Sequence, residues 1–125
     1  MSIRKVPMLI NGQEFSSTSS TWVDVLNPAT QEVVAQVPFA TLEEVDHAVA
    51  NAKQAFKSWR KVALAKRQQF LLTFLQLARA NTTHIAELIT LEHGKTLPDA
   101  EGEVGRGIEA IENACMVTKL QLGEL

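Results

Sequence analysis

The sequence predicts a mixed α/β segment, with β-hairpins arranged as a meander in residues 1–40 and four amphipathic helices in residues 41–125. Short β-rich runs and three of the four prolines lie in the first forty residues. At Thr41 the spacing of the apolar residues changes from about two to about 3.6. The chain has 125 residues, of which 46% are hydrophobic, and this length is typical of one folded domain.

The first hairpin is predicted by a two-residue turn. Asn11-Gly12 tolerates the positive φ values that both central positions of a type I′ turn require. β-rich runs at residues 8–10 and 13–15 flank it, so these runs are expected to pair as antiparallel strands.

A second hairpin is expected after a polar loop. Residues 16–21 are all serine or threonine, which predicts a solvated loop. The β-rich runs at residues 22–26 and 32–37 follow. Asn27 and Pro28 suit the first two positions of a turn between them.

A capping box predicts where the first helix begins. The Thr41 hydroxyl can accept a hydrogen bond from the third helical N–H, while Glu44 reaches back to the N–H of Thr41. Apolar residues then recur at helical spacing, and Glu44 lies outside their stripe. The stripe comprises Val45, Ala48, Val49, Ala52, Phe56 and Trp59.

Three further helices complete the prediction. One spans about residues 64–80 and ends at Asn81 in the left-handed conformation, and the next spans about 83–93 and ends at Gly94. The fourth spans about 98–119, with a proline in its first turn, where the missing N–H would be unpaired anyway. The apolar faces of the helices exceed what two hairpins can cover, so they pack on one another or on a further surface.

Charge and composition exclude several classes of protein. Twelve Lys and Arg residues against 14 Asp and Glu give a net charge of −2, without the basic excess of a nucleic-acid-binding module. No apolar run approaches the ~20 residues of a membrane span, and residues 1–10 lack the apolar segment of a secretory signal. A single cysteine cannot form an internal disulfide, which predicts a cytoplasmic protein. The cysteine and the three histidines lack zinc-ligand spacing, so no metal site is expected.

Cys115 is the first candidate nucleophile because it is the only thiol. It continues the apolar stripe of Val104, Ile108 and Ile111. It also lies near the end of its helix rather than at the positive N-terminus that lowers a thiol pKa. We therefore expect a core or interface residue, and the carboxyl groups likewise form no pair with acid–base spacing.

Arg106 is the candidate binding residue. Three glycines surround it inside the fourth helix, namely Gly102, Gly105 and Gly107. Their spacing is not that of a dinucleotide-binding loop, and each costs about 1 kcal/mol relative to Ala in a helix, which close packing or space for a ligand would explain. Such space would let Arg106 present its guanidinium to a carboxylate. The alternative is an ion pair with Glu103 or Glu109, one turn away.

The chain resembles the aldehyde dehydrogenase superfamily along essentially its whole length. The matching segments are residues 9–12, 27–30, 88–96 and 100–104, together with Arg67 in the second helix. The resemblance implies an α/β parent fold. In that fold, residues 1–40 are a β-hairpin region and residues 41–125 are the helical part of the cofactor-binding domain.

Within the superfamily, residues 102–109 followed by Ala114-Cys115 are most similar to the CoA-acylating methylmalonate-semialdehyde dehydrogenases. The resemblance implies a homo-oligomer that oxidises and decarboxylates malonate or methylmalonate semialdehyde. It implies NAD and CoA as cofactors, a thioacyl-enzyme intermediate, and acetyl-CoA or propionyl-CoA as product. In that subfamily an arginine of this helix helps to bind the substrate carboxylate, and Arg106 occupies the matching position.

The catalytic cysteine, the catalytic glutamate and the NAD-binding strand–turn–helix of this family lie beyond the position that corresponds to residue 125. The chain is therefore predicted to be an N-terminal segment that binds neither NAD nor CoA and has no catalytic residue or activity of its own. The alternative is a self-standing structural or assembly module that retains the family scaffold without catalysis.

Overall fold

Five short strands precede five helices in the computed structural model, which describes residues 3–120. The strands are β1 (Arg4–Lys5), β2 (Met8–Ile10), β3 (Gln13–Phe15), β4 (Trp22–Leu26) and β5 (Val33–Pro38). The helices are α1 (Leu42–Trp59), α2 (Leu64–Ala80), α3 (Thr82–His93), α4 (Leu97–Ala114) and α5 (Val117–Leu120). These elements form two compact units, Met1–Lys61 and Val62–Leu125.

Both predicted hairpins are confirmed in the first unit. β2 and β3 pair antiparallel across Asn11 and Gly12, whose φ values of 54° and 73° fit a type I′ turn. β4 and β5 also pair antiparallel. In the turn between them, the side chain of Asn27 accepts a hydrogen bond from the N–H of Ala29 at 2.9 Å.

The predicted single meander is wrong, because the strands form two separate sheets. β2 and β3 make a two-stranded sheet, whereas β1, β5 and β4 make a three-stranded sheet in that order. β1 pairs in parallel with β5 and was not predicted as a strand. Its two residues are charged and exposed, so they carry no alternating apolar pattern.

The capping box at α1 is confirmed, and its glutamate also holds a distant loop. Glu44 donates its N–H to the Thr41 hydroxyl at 3.3 Å and accepts from the N–H of Thr41 at 2.9 Å. The same carboxylate accepts from the N–H of Thr18 at 2.7 Å and from the Ser17 hydroxyl at 2.9 Å. Glu44 is consequently 6% exposed, and the polar loop of residues 16–21 is anchored to α1.

In the second unit, α2 and α3 lie within one residue of their predicted bounds. Gly94 ends α3 with φ of 76°, as predicted. The predicted left-handed end of α2 is wrong, because Asn81 has φ of −111° and donates its side-chain amide to the Leu77 carbonyl while α3 begins at the next residue. α4 ends at Ala114 rather than near residue 119, and a two-residue turn separates it from α5.

The core of the second unit lies between α3 and α4. Ala86 and Ala100 are fully buried at this contact, beside Val104 at 7% exposure. Leu75 and Ala78 are the buried residues of α2. Many large apolar side chains remain exposed, including Val45, Val49 and Phe56 on α1 and Phe70, Phe74 and Leu77 on α2. Within residues 3–120, no helix is both long and apolar enough to cross a membrane.

Candidate functional site

Arg106 and the three glycines lie inside α4, as predicted. The Thr96 hydroxyl caps this helix by accepting from the N–H of Asp99, and the helix continues without a break to Ala114. Interior N–H groups of a helix are already bonded to carbonyl groups one turn earlier. Residues 102–107 therefore cannot form a phosphate-binding loop, which needs free N–H groups.

The space beside the glycines is open. A Cβ atom placed on Gly102, Gly105 or Gly107 would meet no atom within 4 Å apart from its chain neighbours and the backbone of its own helix. Close packing within the described part of the chain therefore does not explain these glycines. Space for a ligand, or for another protein surface, is the explanation consistent with the geometry.

Gly107 belongs to the wall of an apolar groove between α2, α3 and α4. The groove has a volume of about 480 Å³. Its lining includes Phe74, Leu77, Ile85, Ile89, Ile108 and Ile111. Glu103 also lines the groove, one turn before Arg106 and Gly107, so a charged cluster adjoins the apolar surface.

Glu103 contacts two cationic side chains through one oxygen atom. Lys95 Nζ lies 2.5 Å from Glu103 Oε1, and Arg106 Nη2 lies 3.7 Å from the same atom. The hydrogen bond from Lys95 lowers the pKa of Glu103 most strongly. The charges of Lys95, Arg106 and His93 lower it further, against the opposing effect of burial. Glu103 is therefore an ionised carboxylate held mainly by Lys95.

The Arg106 guanidinium remains open to a further partner. Its side chain is 71% exposed, compared with 18% for Lys95 and 39% for Glu103. Its distance to Glu103 exceeds the roughly 2.7–2.9 Å of a charge-assisted hydrogen bond. The predicted ion pair with Glu103 is thus present, but an exposed contact of this kind is weak.

Cys115 occupies the position expected for a structural residue. It is 7% exposed, which confirms the predicted burial. It caps the C-terminal end of α4, where its carbonyl accepts a hydrogen bond from Gln68 Nε2 at 2.7 Å. The part of the chain that the structure describes contains no group of three His, Cys, Asp or Glu side chains placed to hold a metal ion.

Lys95 was not identified as a site residue from the sequence. Its partner Glu103 lies eight residues away, which is not a helical neighbour spacing. The sequence nevertheless indicates where Lys95 lies, because Gly94 predicts the end of one helix and Thr96 can cap the next. Lys95 therefore lies in the corner between two helices, near the first turns of α4.

The sequence profile of the Aldehyde dehydrogenase family matches residues 15–124. This chain belongs to the aldehyde dehydrogenase family. It is 49% identical over 123 residues to the human "Methylmalonate-semialdehyde/malonate-semialdehyde dehydrogenase [acylating], mitochondrial", covering 98% of this chain and 23% of that protein. It is 45% identical over 122 residues to "Malonate-semialdehyde dehydrogenase" from Bacillus velezensis, covering 98% of this chain and 25% of that protein.

Solved aldehyde dehydrogenase structures share the fold. The methylmalonate-semialdehyde dehydrogenase of Oceanimonas doudoroffii matches with a TM-score of 0.92 and 37% identity, over 98% of this chain and 25% of that chain. A structure from Sinorhizobium meliloti 1021 in complex with NAD matches with a TM-score of 0.92 and 32% identity, over the same shares of the two chains. The predicted aldehyde dehydrogenase-like α/β fold is thus confirmed. This chain spans about a quarter of the length of these relatives.

Proposed function

We propose that this chain is the N-terminal segment of an NAD-dependent, CoA-acylating malonate- or methylmalonate-semialdehyde dehydrogenase. The observation that carries the proposal is the exposed side chain of Arg106, whose neighbours in the chain, Gly105 and Gly107, have no side chains of their own. The relatives that share this segment are named for aldehydes that carry a carboxylate. An arginine can bind a carboxylate through two parallel hydrogen bonds, which a lysine cannot reproduce.

In this proposal the segment recognises the substrate rather than performing the chemistry. Arg106 binds the carboxylate of the semialdehyde and so fixes the orientation of the aldehyde group. Oxidation through a thioacyl-enzyme requires an activated thiolate. Cys115 is buried, whereas a reactive thiol is partly exposed. The glycine-rich residues 102–107 are helical and form no loop that could hold the phosphates of NAD or CoA.

The architecture of the parent enzyme is part of the proposal. We assign residues 1–40 to its β-hairpin region and residues 41–125 to the helical part of its cofactor-binding domain. The exposed apolar side chains of α1 and α2 support burial against further protein surface in a homo-oligomeric enzyme. The buried, unpaired thiol of Cys115 supports a reducing compartment such as the cytoplasm.

The test is a product analysis of the longer enzyme to which we assign this segment. Supplied with NAD, CoA and either malonate or methylmalonate semialdehyde, it should form NADH together with acetyl-CoA or propionyl-CoA, measured by absorbance and mass spectrometry. Oxidation of uncharged aldehydes alone, or release of free acids without a CoA thioester, would contradict the proposal.

The 125-residue chain provides the matched comparison. We expect it to form no NADH from malonate semialdehyde, because the thiolate and nicotinamide sites are assigned to other parts of the enzyme. Steady NADH formation by a preparation whose intact mass shows only these residues would refute the assignment to a recognition segment.

A further inference from the structure

Glu103, which lines the groove, does not interact equally with its two cationic partners, Lys95 and Arg106. Lys95 approaches Glu103 Oε1 to 2.5 Å and is 18% exposed, whereas Arg106 remains 3.7 Å from the same oxygen and is 71% exposed. Ion-pair attraction falls with distance and with exposure to water. Lys95 is therefore the dominant partner of Glu103, and Arg106 is the secondary one.

The charges of the cluster do not cancel. Lys95 and Arg106 each contribute +1 and Glu103 contributes −1, which leaves a net charge of +1. Of the two cationic side chains within ion-pair distance of Glu103, removal of the lysine would leave Arg106. The net charge would then be zero, and an incoming carboxylate would have to displace Glu103 from the guanidinium.

We propose that Lys95 is a positioning residue that acts through Glu103 to keep the Arg106 guanidinium available for the carboxylate of an aldehyde substrate. This inference rests on the proposed function, since it assumes that Arg106 binds that carboxylate. It adds a second residue to the recognition of the substrate, one that does not itself contact the substrate. The specificity of the site then depends on which cation holds Glu103.

The test uses substitutions that remove charge but preserve shape. Lys95→Met keeps the apolar stem that is packed against its surroundings, and Glu103→Gln keeps the size of the side chain. In the longer enzyme, the quantity to measure is the ratio of kcat/KM for malonate semialdehyde to kcat/KM for propionaldehyde, which has no carboxylate. Lys95→Met should lower this ratio about tenfold, mainly through a higher KM for the semialdehyde.

Three further variants separate positioning from a structural role. The double variant Lys95→Met/Glu103→Gln removes the competing carboxylate and restores the +1 charge, so it should recover the ratio to within about threefold of the unmodified enzyme. The matched control adds Glu109→Gln to Lys95→Met, because Glu109 lies three residues on the other side of Arg106. This control variant should leave the ratio as low as in Lys95→Met. Lys95→Arg keeps the charge and should retain the ratio. A low ratio in Lys95→Met is then assigned to the lost charge rather than to misfolding of that variant.

The outcomes distinguish this inference from the function on which it rests. If Arg106→Leu lowers the ratio but Lys95→Met does not, the inference is wrong and the proposed function stands. A double variant that stays as low as Lys95→Met also overturns the inference, because Lys95 would then act by packing or by direct contact. If Arg106→Leu leaves the ratio unchanged, the carboxylate role of Arg106 is wrong and both proposals fall.

Discussion

Replacing the glycines of α4 by alanine should stabilise this chain. A glycine in a helix interior costs about 0.8–1.0 kcal/mol relative to alanine. Beyond its chain neighbours and its own helix backbone, a Cβ at Gly102, Gly105 or Gly107 meets no atom within 4 Å, and none of the three has a positive φ. No clash therefore opposes the gain. Each substitution should therefore raise the free energy of unfolding by about 1 kcal/mol, and all three together by about 2–3 kcal/mol.

Urea unfolding of the 125-residue chain, followed by circular dichroism at 222 nm, measures these changes. The matched control is Ala110→Gly, an exposed position on the same helix, which should lower the stability by about 1 kcal/mol. If the glycine variants are unchanged or less stable while the control behaves as expected, the space beside α4 is not open and the reasoning is refuted. In the longer enzyme, Gly107→Ala should instead lower kcat/KM for malonate semialdehyde, because its Cβ fills space beside Arg106.

Three further predictions concern the first unit and the exposed apolar surface. Thr41→Ala removes the α1 cap and should lower the free energy of unfolding by about 0.5–2 kcal/mol, measured by urea unfolding; an unchanged midpoint would contradict the capping role. The N–H of Thr18, followed by that of Thr41, lowers the pKa of Glu44 below its ordinary 4.5. This carboxylate therefore stabilises the fold above pH 4.5 and loses that contribution as the pH falls through its lower folded pKa. Glu44→Gln should accordingly flatten the acid limb of the stability–pH curve. An unaltered curve would refute the claim that Glu44 contributes to the loss of stability in acid. Exposed side chains such as Phe56 and Phe74 should make the isolated chain self-associate in sedimentation velocity, whereas a monomer over a wide concentration range would count against it.

The features of the fold that the sequence predicted correctly depend on a few adjacent residues. The Asn11-Gly12 turn, the Thr41 capping box and the left-handed end at Gly94 each follow from backbone geometry within one turn. β1 could not be predicted in this way, because its pairing with β5 joins residues about thirty positions apart and its own residues are charged.

In the candidate site, too, features set by neighbouring residues could be predicted from the sequence, whereas features set by contacts between helices could not. The glycines around Arg106 are visible in the sequence as an anomaly, since helices rarely keep so many. The choice of Lys95 over Arg106 as the main partner of Glu103 depends on distances across the corner between α3 and α4. The end of α2 at Asn81 was mispredicted for a related reason, because the immediate start of α3 overrides the usual way of ending a helix.

The claim that Arg106 binds a substrate carboxylate is tested most directly by the aldehyde selectivity of Arg106→Leu in the longer enzyme. Removing a bidentate, charge-assisted contact should cost about 2–5 kcal/mol in kcat/KM for malonate semialdehyde. Propionaldehyde has no carboxylate to lose, so its kcat/KM should fall by less than about tenfold, or about 1.4 kcal/mol. Equal losses on the two aldehydes would contradict the account and would show that Arg106 stabilises the fold through Glu103 instead.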